Sequence, residues 1–334
     1  MVTSAPVPVP TAPGVRRSIV DAHHHLWDLE RNFHPWLCNA EPIAFRYGDY
    51  SALRRNYLHA DYLADTARYE VQGSVYVETE WDPSDPRGEM AYVAQLLETH
   101  RLPTVAVAHT RLDAANAADL LDWQASFPFV RSIRHKPKAH PAPGGAGPGG
   151  MPDPGWRAGF ARLAALGLRF DLQTPWWHMH EAADLARAHP DTHIIINHAG
   201  LPADRSPAGL AAWRSAMALV AQCPNVCVKI SGIGVPGQPW TPQANRPIVL
   251  ALIELFGVQR CMFASNFPVD GLCGRFDEIY GGFEAIVADF SADEQDALFR
   301  RNAIVTYDMG ALEEHPRHSK GSVHVSTLAH EDRP

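Results

Sequence analysis

The feature that most constrains this chain is a rhythm. Short β-branched or apolar runs recur between stretches with helical spacing, and nearly every run ends in a polar side chain. The runs are "SIVDAHH" at 18–24, "GSVYVETE" at 73–80, "PTVAVAHT" at 103–110, "VRSIRHK" at 130–136, "LRFDLQT" at 168–174, "HIIINHA" at 193–199, "NVCVKIS" at 225–231 and "RCMFASN" at 260–266. Between them, segments such as "PRGEMAYVAQLLETH", "PGWRAGFARLAALG" and "HEAADLARAHP" carry apolar residues three to four apart, the spacing of an amphipathic helix. Alternating strands and helices imply a parallel sheet, because each parallel crossover needs a connection about the length of a helix. About eight such units over roughly 250 residues is the size of a (β/α)8 barrel. A doubly wound open sheet shares the rhythm. The polar strand ends favour the barrel: His23, His25, Glu78, Glu80, His109, His135, Asp171, Gln173, His198, Lys229 and Asn266 would scatter along an open sheet but converge on the single mouth of a barrel. The fold expected is therefore α/β, a single (β/α)8 TIM barrel over residues 18–314, with loose tails at 1–17 and 315–334.

Composition narrows what such a barrel would bind. The 334 residues are 46% hydrophobic and 20% charged, enough for one large core, and the formal net charge is −8. No run of Lys and Arg exists to meet a phosphate backbone or an anionic lipid surface, so neither nucleic acid nor membrane is expected as a partner. No stretch of about 18 apolar residues could span a bilayer either. A small-molecule substrate fits; a homo-oligomer stays open. The five cysteines are odd in number and lack paired C-x-x-C spacing, which argues against a disulfide framework or a zinc ribbon and points to a reducing, cytoplasmic setting. The opening "MVTSAPVPVPTAPGVRR" has no apolar core of a signal peptide.

Two segments interrupt the rhythm. Residues 30–60 form a long aromatic-rich connection after the first strand, expected to cover the barrel mouth. The run "HPAPGGAGPGGMPDPG" at 140–155 cannot be regular structure; it reads equally as a mobile lid or a passive loop.

In "IVDAHHHLWDL" residues two apart share a strand face, so His23 and His25 project together and His24 points the opposite way, toward the helices. Two imidazoles at one mouth suit a divalent ion. By the same alternation Val75, Val77 and Thr79 are expected under the helices, and Tyr76, Glu78 and Glu80 on the other face. Glu78 is then either a metal ligand or half of a salt bridge. His198, sharing a face with Ile194 and Ile196 at a strand end, is either a ligand or a core histidine. Arg131, Arg134, His135, Gln173 and Trp177 lie near strand ends and could bind substrate. The arginine forks would suit a carboxylate, and a surface ion pair is the alternative for each.

Taken in order, "IVDAHHHLWD", "INHAGLP", "VKISGIG" and "RCMFASNFPVDGL" resemble the amidohydrolase-related family, the branch of the amidohydrolase superfamily that includes sugar-lactone and pyrone-dicarboxylate lactonases. The likeness spans about residues 18–310. It implies a (β/α)8 barrel and metal ligands at His23, His25 and His198. It also implies an aspartate ending strand eight, in a G-S-D-x-P pattern, that takes the proton of the attacking water. This chain departs there: Asn266 occupies the place of the aspartate, and a neutral amide cannot act as a base, although its carbonyl can ligate a metal. The superfamily's strand-five histidine is missing from "LRFDLQT", and His178 or His180 of the following "PWWHMH" could supply it. A bridging lysine is not visible at a convincing position in "VRSIRHKP".

Three readings follow. The first is a hydrolase of a small lactone, ester or amide using zinc, manganese or iron, with Glu78, Glu80, His178 or Asp270 replacing the missing base. The second is a non-heme diiron monooxygenase on the same barrel, as in a few members of the branch, with Glu78 completing a dinuclear iron site. The third is a metal-free or inactive barrel.

Overall fold

The structure, a computed structural model, describes residues 16–145 and 149–310. The expected C-terminal tail, 315–334, and residues 1–15 of the N-terminal one lie outside the described residues. Eight parallel strands run in sequence order: β1 (Ser18–His24), β2 (Glu70–Val77), β3 (Val105–His109), β4 (Val130–Arg134), β5 (Arg169–Leu172), β6 (Ile194–Ile196), β7 (Val226–Ile230) and β8 (Cys261–Phe263). The ring meets itself at the mouth. His25 N donates to Phe267 O and Asn266 N to His23 O, each at 2.8 Å, and the buried Asp21 of β1 accepts from Ser265 N and Oγ at 2.8 and 2.6 Å. This is the (β/α)8 barrel expected from the rhythm.

Helices follow the strands where local sequence starts them well. Those at Pro154–Ala161, Pro207–Ala221 and Pro242–Phe256 each open on proline. The residues before them, Asp153, Ser206 and Thr241, accept a backbone N–H of the first turn, which satisfies an otherwise orphaned donor. At the opposite end of the barrel, Asn302–Tyr307 closes the floor. Asn302 Nδ2 donates to the carbonyls of Val258 and Cys261, both at 2.7 Å, and Arg169 Nε reaches Thr306 O at 2.7 Å. Among the described residues no helix is long and apolar enough to cross a membrane.

Most of the barrel interior below the mouth is apolar, built from Val20, Ala22, Val75, Val77, Val105, Val107, Ile195, Cys227 and Met262, with Ile304 and Tyr307 beneath; the buried Asp171 and Lys229 are the exceptions. Fully burying a side chain of this size contributes about 1.5–3 kcal/mol, an upper estimate. This corrects the expected facing of β2. Val75 and Val77 point into the barrel, while Tyr76 points to the helix layer and donates to Glu89 on the helix Gly88–Thr99, at 2.9 Å. Likewise Ile195, and not Ile194 or Ile196, faces inward.

Candidate active site

Because Val20 and Ala22 already face inward, strict alternation would send His23 outward. A register shift between Asp21 and His24 breaks the alternation, and His23 joins His25 at the mouth. Their Nε2 atoms stand 3.3 Å apart. His24 points to the helix layer as expected, 2.9 Å from Ser74 Oγ and stacked on Tyr62 with centroids 4.2 Å apart. His198 completes a trio, its ring 4.6 Å from that of His23. It arrives there by leaving the strand: φ is 52° at His198 and 56° at Ala199, left-handed backbone that non-glycine residues adopt only where the surroundings hold it.

The three rings are neutral bases. His25 Nδ1 lies 2.8 Å from Val77 O, a carbonyl that only accepts, so this nitrogen carries the hydrogen and Nε2 presents a lone pair. Burial, and then the Arg134 charge, lower the His25 pKa to about 3. Burial also holds His23 and His198 well below the usual imidazole value, with the charge of Lys229 next for His23 and of Arg46 next for His198. His198 Nδ1 stands 3.0 Å from Ser231 Oγ.

Beside them, Arg134 is locked in place. Its Nε donates to Glu78 Oε1 at 2.5 Å, Nη2 to the Glu78 carbonyl at 2.6 Å and Nη1 to Gln173 Oε1 at 3.2 Å. Glu78 Oε2 accepts the Glu80 N–H at 2.8 Å. Burial alone would raise the Glu78 pKa, but Arg134, with His109 and Lys136, outweighs it and holds the carboxyl below the usual carboxylate range. Asn266 Nδ2 donates to Asp270 Oδ1 at 2.7 Å, which turns the amide oxygen the other way. Asp270 also accepts from Tyr47 OH at 2.8 Å and Gly232 N at 2.9 Å, and burial raises its pKa. These groups bound a cavity of about 300 Å³ into which His25, His198, Glu78, Arg134, Gln173 and Asn266 all face. Residues 30–60 form its cover, as expected, contributing Trp36, Ile43, Phe45 and Arg46.

One layer down lies a pair that spacing alone did not reveal. Lys229 Nζ meets Asp171 Oδ1 at 2.7 Å with both side chains fully buried. Asp171 further accepts from Asn197 Nδ2 at 2.8 Å and Tyr307 OH at 2.9 Å. Burial lowers the lysine pKa and Asp171 works against that shift.

Five expected site residues do not line the cavity: His23, which is fully buried beside His25 and His198, and four that lie elsewhere. His178 Nε2 accepts the His140 N–H at 2.9 Å and so anchors the glycine- and proline-rich loop, while its Nδ1 pairs at 3.0 Å with Glu181 Oε1, which itself accepts the Gly149 N–H of that loop. Trp177 Nε1 donates to His140 O at 3.0 Å and anchors the same loop. His135 Nδ1 accepts from Leu112 N at 3.1 Å, and Arg131 reaches toward Asp308 at 3.9 Å, near the barrel floor. Arg46, Tyr47 and Ser231 were missed. The first two sit in the aperiodic cover, where no spacing marks a side chain.

A protein-held divalent ion needs three or four donors at one point, and an iron–oxygen centre needs a free carboxylate among them. His23 and His25 supply two converging nitrogens, and the His198 ring stands beside them with its Nδ1 3.0 Å from Ser231 Oγ. Glu78, the carboxylate expected to join them, is bound instead by Arg134 and the Glu80 N–H, and Asp270 is bound by Asn266, Tyr47 and Gly232. Among the described residues no group of three or more His, Cys, Asp or Glu could hold a metal ion. The donor set as placed does not fit a resident ion.

The amidohydrolase family model matches residues 20–309. The uncharacterized protein y4mH of Sinorhizobium fredii is 40% identical over 295 residues, 87% of this chain and 98% of its own. An L-fucono-1,5-lactonase of Burkholderia ambifaria is 28% identical over 268 residues, 80% and 85% of the two chains. Among solved structures, an amidohydrolase from Burkholderia multivorans with bound zinc superposes with a TM-score of 0.71 at 23% identity, covering 87% of this chain and 99% of that one. The chain belongs to the amidohydrolase family and is a hydrolase-type enzyme.

Proposed function

We propose that this enzyme hydrolyses a small lactone or ester that carries a carboxylate. The observation that carries the reading is the meeting, in one cavity, of neutral imidazoles and a rigidly held guanidinium. A water resting against His198 attacks the acyl carbonyl, and the neutral imidazole takes its proton. The Asn266 amide oxygen accepts the water's other hydrogen and orients it, a role open to a group that cannot itself be a base. Negative charge grows on the carbonyl oxygen as the tetrahedral intermediate forms. Arg134, preorganised by Glu78 and Gln173, stabilises it at no cost of reorganisation. The intermediate then collapses, the acyl C–O bond to the leaving alkoxide breaks, and the His198 imidazolium gives the proton it took from water to the departing oxygen, which leaves a carboxylic acid, an alcohol and a neutral imidazole. The lactonase name of the Burkholderia relatives supports the acyl class. No step is routed through a metal, because among the described residues no three His, Cys, Asp or Glu side chains are placed to hold one ion.

The test is a panel of lactones and esters, with and without a carboxylate, assayed before and after chelation alongside elemental analysis. Hydrolysis should survive chelation and fall about 10²- to 10⁴-fold in His198→Ala. Absence of hydrolysis across the panel overturns the reading. Loss on chelation with recovery on zinc, manganese or iron would return the step to an ion at His23 and His25.

A further inference from the structure

Among the described residues three cations line the cavity, Arg46, Arg134 and Lys136. Two are already matched: Arg134 is held by Glu78 and Gln173 with its side chain 4% exposed, and Lys136 is ion-paired with Glu80. Arg46 is placed differently. It comes from the cover, its side chain is 27% exposed, and its nearest carboxylate oxygen, Asp270 Oδ1, is 3.8 Å from Nη2, beyond hydrogen-bond reach. Asp270 is satisfied without it, by Tyr47 and Asn266 on Oδ1 and by Gly232 N on Oδ2. The hydrogen bond found for the guanidinium is Nη1 to the Gly232 carbonyl at 3.2 Å.

Other features hold this cation ready. Its guanidinium lies over the Tyr47 ring, 4.6 Å from the centroid, and Tyr47 is pinned by Asp270. Gly232 leaves the space: a Cβ there would come within 2.6 Å of both Arg46 Nη2 and His198 Nδ1, so the glycine is what lets cation and base stand side by side. On the same cover, Trp36 and Phe45 stack at 5.6 Å with 16° between planes and present an apolar wall to the cavity.

We infer that Arg46 anchors the carboxylate of the substrate, whose apolar body lies against Trp36 and Phe45. The inference rests on the hydrolase reading in placing the scissile bond at His198. A planar fork with donors to spare binds a carboxylate in bidentate fashion, and the shared exposure to solvent lets the substrate exchange water for the guanidinium at the rim.

Binding separates this inference from the reaction. Calorimetric titration with 3-phenylpropionate, and with 3-phenyl-1-propanol as its neutral match, would be run on the full chain and on Arg46→Gln, Arg46→Lys and Arg134→Gln, with circular dichroism melts to establish folding. The wild type should bind the anion more tightly than the alcohol. Arg46→Gln should weaken the anion about 10- to 100-fold and leave the alcohol unchanged, with partial recovery in Arg46→Lys. Equal binding of the two probes by the wild type, equal weakening of both in Arg46→Gln, or an anion loss seen in Arg134→Gln alone overturns the assignment. Anion binding as expected, with no hydrolysis across the lactone and ester panel, leaves the anchor standing and removes the proposed reaction.

Discussion

Replacing Lys229 with methionine isolates the buried pair beneath the histidines. The substitution keeps the stem volume close to that of lysine and removes the ammonium, leaving the Asp171 carboxylate fully buried with Asn197 Nδ2 and Tyr307 OH as its donors. Breaking a buried pair by removing one partner costs about 3–5 kcal/mol, because the stranded charge cannot recover its hydration. Two remaining hydrogen bonds place Lys229→Met at the lower end, about 3 kcal/mol. Unfolding entropy of about 2.1 cal/mol/K per residue over the roughly 290 described residues gives about 0.6 kcal/mol/K, so Tm should fall by about 5 °C. Adding Asp171→Asn removes the stranded charge, and the double variant should recover most of the loss. Urea unfolding followed by circular dichroism on the four members of the cycle measures the coupling directly. A single-variant cost under about 1 kcal/mol, or a double variant equal to the sum of the singles, would refute the claim that the pair is held as two charges in the barrel interior.

Two further outcomes are expected. Burial, and then the neighbouring Glu78 charge, raise the Glu89 pKa to about 7, so the folded state binds the extra proton between the unfolded value of 4.5 and about 7. Stability should therefore decline by about 2–3 kcal/mol as pH rises through that window, and Glu89→Gln should flatten the decline in urea midpoints taken at pH 5 and 8. Asn266→Asp would set a second carboxylate at the 2.7 Å contact with Asp270, where both cannot ionise together. The variant should gain no large hydrolytic rate at pH 7, and a kcat/KM increase of about 100-fold or more would show that the missing aspartate was the limiting group.

The strand count and the mouth were legible because the apolar runs end in polar side chains that only a barrel gathers. The facing of those side chains was not. Strands buried on both sides lose the alternation that marks one wet face, so Val75 and Val77 carry no sign of whether they pack inward or under helices. Glu78 and His198 nevertheless reach the cavity, since β2 ends at Val77 and β6 at Ile196 and period-two reasoning stops where the strand stops. Left-handed backbone at Glu80, His198, Ala199, Leu201 and Asn266 aims the mouth residues. Only the asparagine and the histidine among these belong to residue types enriched in such a conformation. The Lys229–Asp171 pair joins β7 to β5 across the barrel, with β6 between them, a relation that no local spacing encodes.

The substitution that separates this chain from its family pattern also explains how its cover is tied down. With an amide at position 266, the negative charge of that quadrant sits four residues later, at Asp270, outside the set of groups that line the cavity. There it accepts from three places at once: the Asn266 amide at the mouth, the Gly232 backbone after β7 and the Tyr47 hydroxyl of the cover. One buried carboxylate thus orients the amide oxygen at the mouth and fixes the tyrosine over which Arg46 rests. An aspartate at 266 would compete with Asp270 for these donors and pull Arg46 inward by charge. The amide leaves Arg46 at the rim, next to His198 and facing solvent, where an incoming anion meets it first. In this site the lost carboxylate and the cation available to substrate are two consequences of the same residue.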